Sequence, residues 1–460
     1  MVKKKISLLL AAIISAGCFA GCGQRTATDS DFTTIEMWSS DSHAKAVMNE
    51  VVKDFNDTIG KENKIKFVWT LKENGASDEL KIALQQGKEP DLISCYSLKE
   101  MAENNYIASL DDIPEIAETV KKNNDVRMEG SNVYHGKMYL AAVSSQVYGL
   151  AYNKDMFKAA GIVDENGEAK PPETLDELRT DAKILTNADK REYGIVFPGK
   201  WGSWFGFDIG YTSESVTGSS GYNYEKGNYD YNALKPVMEL VLGLKEDGSV
   251  YPGMEGLDND PARARFAEGN IGMKFAVSWD VGVWNDQFKA KCDWGIAPLP
   301  SLSADEKYYQ IKNPGYTTCI SKRNLDEKGA KAVSLVFNYL YSDEVLSKQY
   351  AEGVYLPWRE DIIDDAKLEN AKVGWEDFGE IVKLSKIRPA VNGTDTSGYD
   401  SIGSEFLSKV WTGEMSVDDF INERNTISNG GMEKYRELHP ERTLENGGIY
   451  ENYYKEMKRQ

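Results

Sequence analysis

Between Thr33 and Ser97 the hydrophobic pattern changes period four times, and this alternation restricts the fold more than any other feature of the chain. In TTIEMWSS, Ile35 and Met37 stand two apart, the spacing of a strand with one buried face. Val47, Met48, Val51, Val52, Phe55 and Ile59 then recur at helical spacing. KIKFVWT sets Ile65, Phe67 and Trp69 on one face, Leu80, Ala83 and Leu84 mark a second helix, and DLISCYS begins a third strand after Pro90. Strand, helix, strand, helix, strand predicts a parallel, doubly wound α/β sheet with right-handed crossovers. Ligands of such sheets sit beyond the strand carboxyl ends, which here carry Trp38 to Asp41, Thr70 to Glu73 and Cys95 to Ser97.

Further along, Leu234, Val237, Met238, Val241 and Leu242 predict a helix with Pro236 in its first turn, where a missing N–H costs nothing. IGMKFAV and DWGIAPLP read as strands, Ala330, Val333, Phe337 and Leu340 as the inner face of a helix, and the chain beyond Ser342 as mostly helical. Between Ile195 and Tyr231 aromatics and glycines crowd together, which predicts loop-rich surface rather than a regular helix. No internal repeat or low-complexity tract appears. A body of about 430 residues exceeds what one core supports, so two lobes are expected.

The N-terminus sets the compartment. Lys3, Lys4 and Lys5 precede an apolar run from Ile6 to Ile14, followed by small residues up to Cys22, the order of a secretory signal. The run is shorter than the roughly 20 residues that span a bilayer. Phe19-Ala20-Gly21-Cys22 resembles a bacterial lipobox with Phe19 in place of the usual leucine, so residues 1–21 are expected to be removed and Cys22 lipidated. The alternatives are cleavage at Cys18, where Ser15 fits poorly, and a plain secreted protein. More than one acyl chain gives stable anchoring, and the polar residues 22–31 form a tether. The expected location is the outer face of the cytoplasmic membrane, with the lipid as the only membrane contact.

A net charge of −19, from 54 basic and 73 acidic residues, argues against nucleic acid as partner. Cys95, Cys292 and Cys319 lack CxxC spacing, and His43, His135 and His439 are scattered, so no disulfide framework, metal site or cofactor is expected. His135, in YHGK, reads as a turn residue, and DENGE at 164–168 as an exposed turn rather than a calcium loop.

The ordered segments EPDLIS (89–94), HGKMYLAAVSSQVYGLAYNKDMFKAAGI (135–162), PPETLDEL (171–178), RFAEGNIGMKFAVSWD (265–280), DWGIAPLP (293–300) and SDEVLSKQYAEGVYLPWRED (342–361) resemble the extracellular solute-binding proteins of ATP-driven importers, the family that includes maltose-binding protein. The resemblance is collinear over nearly the whole mature chain. It implies a two-lobe periplasmic-binding-protein-like α/β fold, each lobe a doubly wound sheet, with ligand in the cleft. It divides the chain into a first lobe of residues 32–147 plus 298–342 and a second of 148–297 plus 343–460. Crossovers are expected near Ser145 to Tyr152, Ala297 to Pro300 and Ser342, forming a hinge on which the lobes close. The implied activity is monomeric, non-enzymatic binding of a carbohydrate, an oligosaccharide above all, and its delivery to the permease subunits of an ABC transporter.

Sugar recognition needs flat apolar faces for pyranose rings and planar polar groups for paired hydroxyls, and 25 Tyr, 15 Phe and 10 Trp supply ample ring surface. Trp279 follows IGMKFAV where the family carries a stacking tryptophan, with Asp280 beside it as a hydroxyl acceptor. Gln146 stands where maltose-binding protein has a glutamate, and its amide both donates and accepts. Trp201 and Trp204 lie where the second lobe contributes aromatics, although their spacing also suits an inward-packed turn. Trp38 and Asp41 follow the first strand, and a helix-capping role suits Asp41 equally. Tyr96, Tyr316 and Tyr399 complete the candidates. A receptor for another solute such as a peptide, and a secreted glycoside hydrolase, are the rival readings. The hydrolase needs two carboxylates roughly 5 to 10 Å apart across one bond, and the chain has no GxSxG, GxGxxG or P-loop motif.

Overall fold

The computed structural model describes residues 32–459, apart from 43, 73–75, 317, 370, 441–442 and 445. Cys22 and the expected signal and tether segments lie outside the described residues.

In chain order, the first lobe begins with β1 (Thr33–Ser39), α1 (Lys45–Phe55), β2 (Ile65–Leu71), α2 (Ala76–Gln86) and β3 (Leu92–Ser94). The long strand β4 (Ala142–Asn153) enters the second lobe, which continues through α3 (Leu175–Leu185), β5 (Tyr193–Ile195), α4 (Gly202–Thr217), α5 (Lys235–Glu246), α6 (Asn259–Ala267), β6 (Ile271–Val277) and β7 (Trp294–Ala297). The chain returns through β8 (Gln310–Tyr316), β9 (Thr318–Ile320) and α7 (Ala330–Leu340), crosses again along α8 (Asp343–Ala351), and ends in the second lobe with α9 (Trp375–Lys383), β10 (Ser385–Lys386), α10 (Ile402–Glu405) and α11 (Val417–Leu438).

The first sheet has the order β9-β3-β1-β2. β1 pairs in parallel with both β2 and β3, and β9 closes the edge antiparallel to β3. Ile35, Met37, Phe67, Val51 and Phe55 meet in one core, as the alternating period predicts. The second sheet has the order β10-β8-β4-β6-β5, with β7 also on β4. Separate cores cover its two faces, one around Phe205, Val241 and Phe275, the other around Phe266, Trp284 and Trp294.

Three segments join the lobes. β4 pairs with β8 through Ser144–Val147 and with β6 through Tyr148–Tyr152. On the return, Leu299 belongs to a second-lobe core and Ser301 pairs with Thr174, so the chain leaves that lobe along β8, later than position 298. α8 spans the third passage, with Val345 in the first-lobe core and Tyr350 in the second.

Between Ile195 and Tyr231 the structure overturns the loop-rich expectation, because Gly202–Thr217 is a regular helix. Its glycines reflect close packing rather than turns. A Cβ on Gly403 of α10 would fall 2.0 Å from the Gly202 carbonyl, and one on Gly202 would fall 2.1 Å from Ser404 Oγ. Tertiary contact with α10 outweighs the roughly 1 kcal/mol that each glycine costs a helix. His135 occupies a tight turn at φ 50, and Asp164 accepts from the Asn166 and Glu168 amides in an exposed turn, both as expected.

Candidate ligand-binding cleft

Trp201 caps α4, and Trp204, Phe207 and Tyr211 follow at intervals of three, three and four, which stacks them along one side of the helix. Trp201 and Trp204 lie 5.2 Å apart at 29°, Phe207 meets Trp204 edge-on at 5.7 Å, and Tyr211 follows at 6.3 Å from Phe207. Trp279, two residues past β6, joins from the side, 5.8 Å from Trp204. Trp201, Phe207 and Trp279 are 49%, 47% and 42% exposed, unusual for such rings and the property a stacking platform needs.

The platform continues into the lobe-joining strands. Tyr211 stacks on Tyr148 of β4 at 3.9 Å and 12°. Asn313 of β8 donates through Nδ2 to the Tyr211 hydroxyl at 2.6 Å. Gln146 is the register partner of Asn313, is exposed, and shares a strand face with Tyr148. The structure thus brings Trp279, Trp201, Trp204 and Gln146 to one surface. A pocket of about 270 Å³ opens beside it, lined by Gly206, Phe207, Tyr211, Ser220, Arg388 and Ile402 among others. The Arg388 guanidinium sits 5.8 Å over the Tyr211 ring and donates to Glu214 Oε1 at 3.4 Å and Ser220 Oγ at 3.3 Å.

Asp280 departs from expectation. It is 1% exposed, forms an ion pair with Arg263, and accepts from the Val277 amide at 3.1 Å. It closes the turn that presents Trp279 instead of meeting a hydroxyl, because a carboxylate buried this deeply needs a cation beside it. Beneath the platform, Asp208 and Lys274 are also buried. Burial raises the Asp208 carboxyl to about 7, opposed by Lys274 and Arg263 and reinforced by Asp280.

The first-lobe candidates are engaged by their own protein. The Trp38 indole donates to Glu36 at 2.9 Å while Lys72 Nζ lies 3.9 Å over its ring. Tyr96 donates to Glu100 at 3.0 Å, and burial and that carboxylate push its hydroxyl up to about 12. Tyr316 donates to the Val126 carbonyl at 2.5 Å, so its hydroxyl serves the lobe. Asp41 accepts from the Ala44 amide at 3.4 Å in the turn that precedes α1, whose N-cap is Ala44, and from the Tyr355 hydroxyl. Asp41 and Tyr355 border a smaller pocket of about 70 Å³ with Ser39, Ser94 and Gln349. Tyr399 is 54% exposed on the loop before α10, and no ring contact joins it to the platform among the described residues. Sequence reasoning missed Phe207, Tyr211, Asn313 and Arg388. The helical spacing from Trp201 to Tyr211 was the available signal for the first two; nothing local marks the others.

Among the described residues, no helix is long and apolar enough to cross a membrane and no cluster of His, Cys, Asp and Glu could hold a metal ion. Cys95, Cys292 and Cys319 are free thiols.

Two α/β lobes joined by three crossings, with a surface of aromatic rings beside the joining strands, define the two-lobe binding-protein class. The chain belongs to the bacterial extracellular solute-binding protein family, whose model matches residues 39–346. It is 22% identical over 364 residues to the maltotriose-binding protein of Pyrococcus abyssi, spanning 78% of this chain and 72% of that protein. It is 24% identical over 374 residues to the sn-glycerol-3-phosphate-binding periplasmic protein of Agrobacterium fabrum, spanning 78% and 80%. The cyclic alpha-maltosyl-1,6-maltose binding protein from Arthrobacter globiformis superposes with a TM-score of 0.65 at 19% identity, covering 88% of this chain and 100% of that one. The GacH receptor of Streptomyces glaucescens gives 0.62 at 19% identity, covering 88% and 98%. At such identity the likeness establishes the shared fold.

Proposed function

We propose that this chain binds a carbohydrate, an oligosaccharide, in the cleft and delivers it to the membrane permease of an ABC importer without transforming it. The observation that carries this reading is the run of rings in which exposed Trp201 and Phe207 flank partly buried Trp204, with exposed Trp279 at its side, beside the amides of Gln146 and Asn313. Rings bind the apolar faces of successive pyranoses, at about 1 kcal/mol each, and amides pair with vicinal hydroxyls. Two or three platforms plus hydroxyl bonds suffice for micromolar binding, about −8 kcal/mol.

Arg388 favours a neutral ligand over a phosphate, since Glu214, fully buried, already faces it. The maltotriose-binding relative supports the same ligand class. The protein acts as a monomer held at the outer face of the cytoplasmic membrane through lipidated Cys22. The proposed lobes are residues 32–147 plus 298–342 and 148–297 plus 343–460, with residues 298–309 packing on the second. A thermal-shift screen against mono- and oligosaccharides tests the ligand class, since ligand at 100 times its dissociation constant adds about 2.7 kcal/mol of stability. No shift with any sugar, or release of shorter products on incubation, would refute it.

A further inference from the structure

Trp204, partly buried, and Trp279, exposed, meet tilted at 5.8 Å and 48° although they come from elements more than 70 residues apart, and one buried polar chain runs behind both. Asn259, the first residue of α6, is 3% exposed. Oriented as its neighbours require, its amide oxygen accepts from Trp204 Nε1 at 3.2 Å and from Arg263 Nη2 at 3.2 Å. Arg263, one helical turn later, is ion-paired with Asp280. Asp280 in turn accepts from the Val277 amide and so closes the strand-end turn that carries Trp279. Arg263 is anchored independently, by Asp260 at 2.9 Å and by the buried Trp284 indole, which donates to its carbonyl at 3.1 Å.

We propose that Asn259 and Arg263 are positioning residues that set Trp204 and Trp279 at a fixed mutual angle, so that α6, which offers the ligand no exposed ring, governs affinity for it. The claim rests on the carbohydrate reading only for its affinity arm. An indole ring in a half-exposed site has several rotamers of similar energy. A buried acceptor at the indole N–H selects one of them, and the guanidinium couples that choice to the turn bearing the second ring. Preorganisation of this kind removes the cost of ordering side chains on binding.

The informative substitution is at Asn259, because only its acceptor oxygen enters the chain of contacts. Asn259→Leu keeps similar volume and removes that oxygen. Asn259→Asp supplies acceptor oxygens to both donors and suits the first turn of a helix. Two measurements on the full chain decide the matter: the indole exciton couplet in circular dichroism, which reports ring geometry without ligand, and calorimetric titration with maltotriose. The Trp204–Trp279 share of the couplet is identified by its loss in Trp279→Ala. Asn259→Leu is expected to lose that share and bind about fivefold to tenfold more weakly, the worth of one buried hydrogen bond. Asn259→Asp is expected to keep the couplet and stay within about twofold of the wild type. An Asn259→Leu protein that melts cooperatively with couplet and affinity intact overturns the proposal. So does an Asn259→Asp protein indistinguishable from Asn259→Leu, since packing alone would then account for both. Should the wild-type chain bind no sugar, the functional reading falls and the couplet by itself decides the positioning claim.

Discussion

The walls that the two lobes would give the proposed cleft carry the same residue types and differ in how those residues are employed. On the second lobe, Trp201, Phe207 and Trp279 turn bare ring faces outward. On the first lobe, a lysine covers Trp38, and the hydroxyls of Tyr96 and Tyr316 are bonded to Glu100 and the Val126 carbonyl. A ring whose face is occupied or whose polar tip is bonded inward has little left to give a ligand. Under the proposed function, the contrast would give most of the stacking to the second lobe and leave the first to supply polar contacts around the pocket lined by Ser39, Asp41 and Ser94.

The largest expected difference lies beneath the walls. Under the first, buried Asp91 is held by Lys328 at 2.8 Å and the Glu36 amide at 2.7 Å. Under the second, neither oxygen of Asp208 has a hydrogen-bond partner among the described residues. With its carboxyl raised to about 7, folded Asp208 keeps a proton that the unfolded chain releases near pH 4. Its contribution to stability is therefore fully present below about pH 4 and is lost as pH rises through 7. Denaturation of Asp208→Asn across that range should show a decline smaller by a few kcal/mol than the wild type's. Parallel curves would mean that Asp208 keeps no such proton in the folded chain.

In calorimetry with the best sugar from the screen, Trp279→Ala should cost about 2 kcal/mol or more, roughly thirtyfold in affinity, with the fold intact because the ring is half exposed. Trp201→Ala, at the platform's end, should cost about 1 kcal/mol, roughly fivefold. Tyr316→Phe should lower stability by about 1 kcal/mol through the lost bond to Val126 while changing affinity less than about twofold. A loss in Tyr316→Phe as large as that in Trp201→Ala would erase the division between the walls.

The first sheet was legible residue by residue, since Ile35, Met37, Phe67, Val51 and Phe55 report their faces through period alone. The helix bearing the platform was not. Gly202, Gly206 and Gly210 imitate a loop, and their purpose appears only when α10 lies against the first two. Of adjacent residues, Trp279 stays exposed while Asp280 turns inward, because Arg263 arrives from α6 to meet it.

From the sequence alone, local periodicity determined the parallel sheet of the first lobe and where its strands end, while chain length and the resemblance to the family implied the second lobe. Which rings remain bare was decided by tertiary structure. The reason is that a side chain's direction depends on partners brought from far along the chain: Asn313 to Tyr211 across 102 positions, Lys72 to Trp38, Asn259 to Trp204. Burial and hydrogen bonding are satisfied over the whole molecule at once, and a periodic pattern records only the local share of that balance.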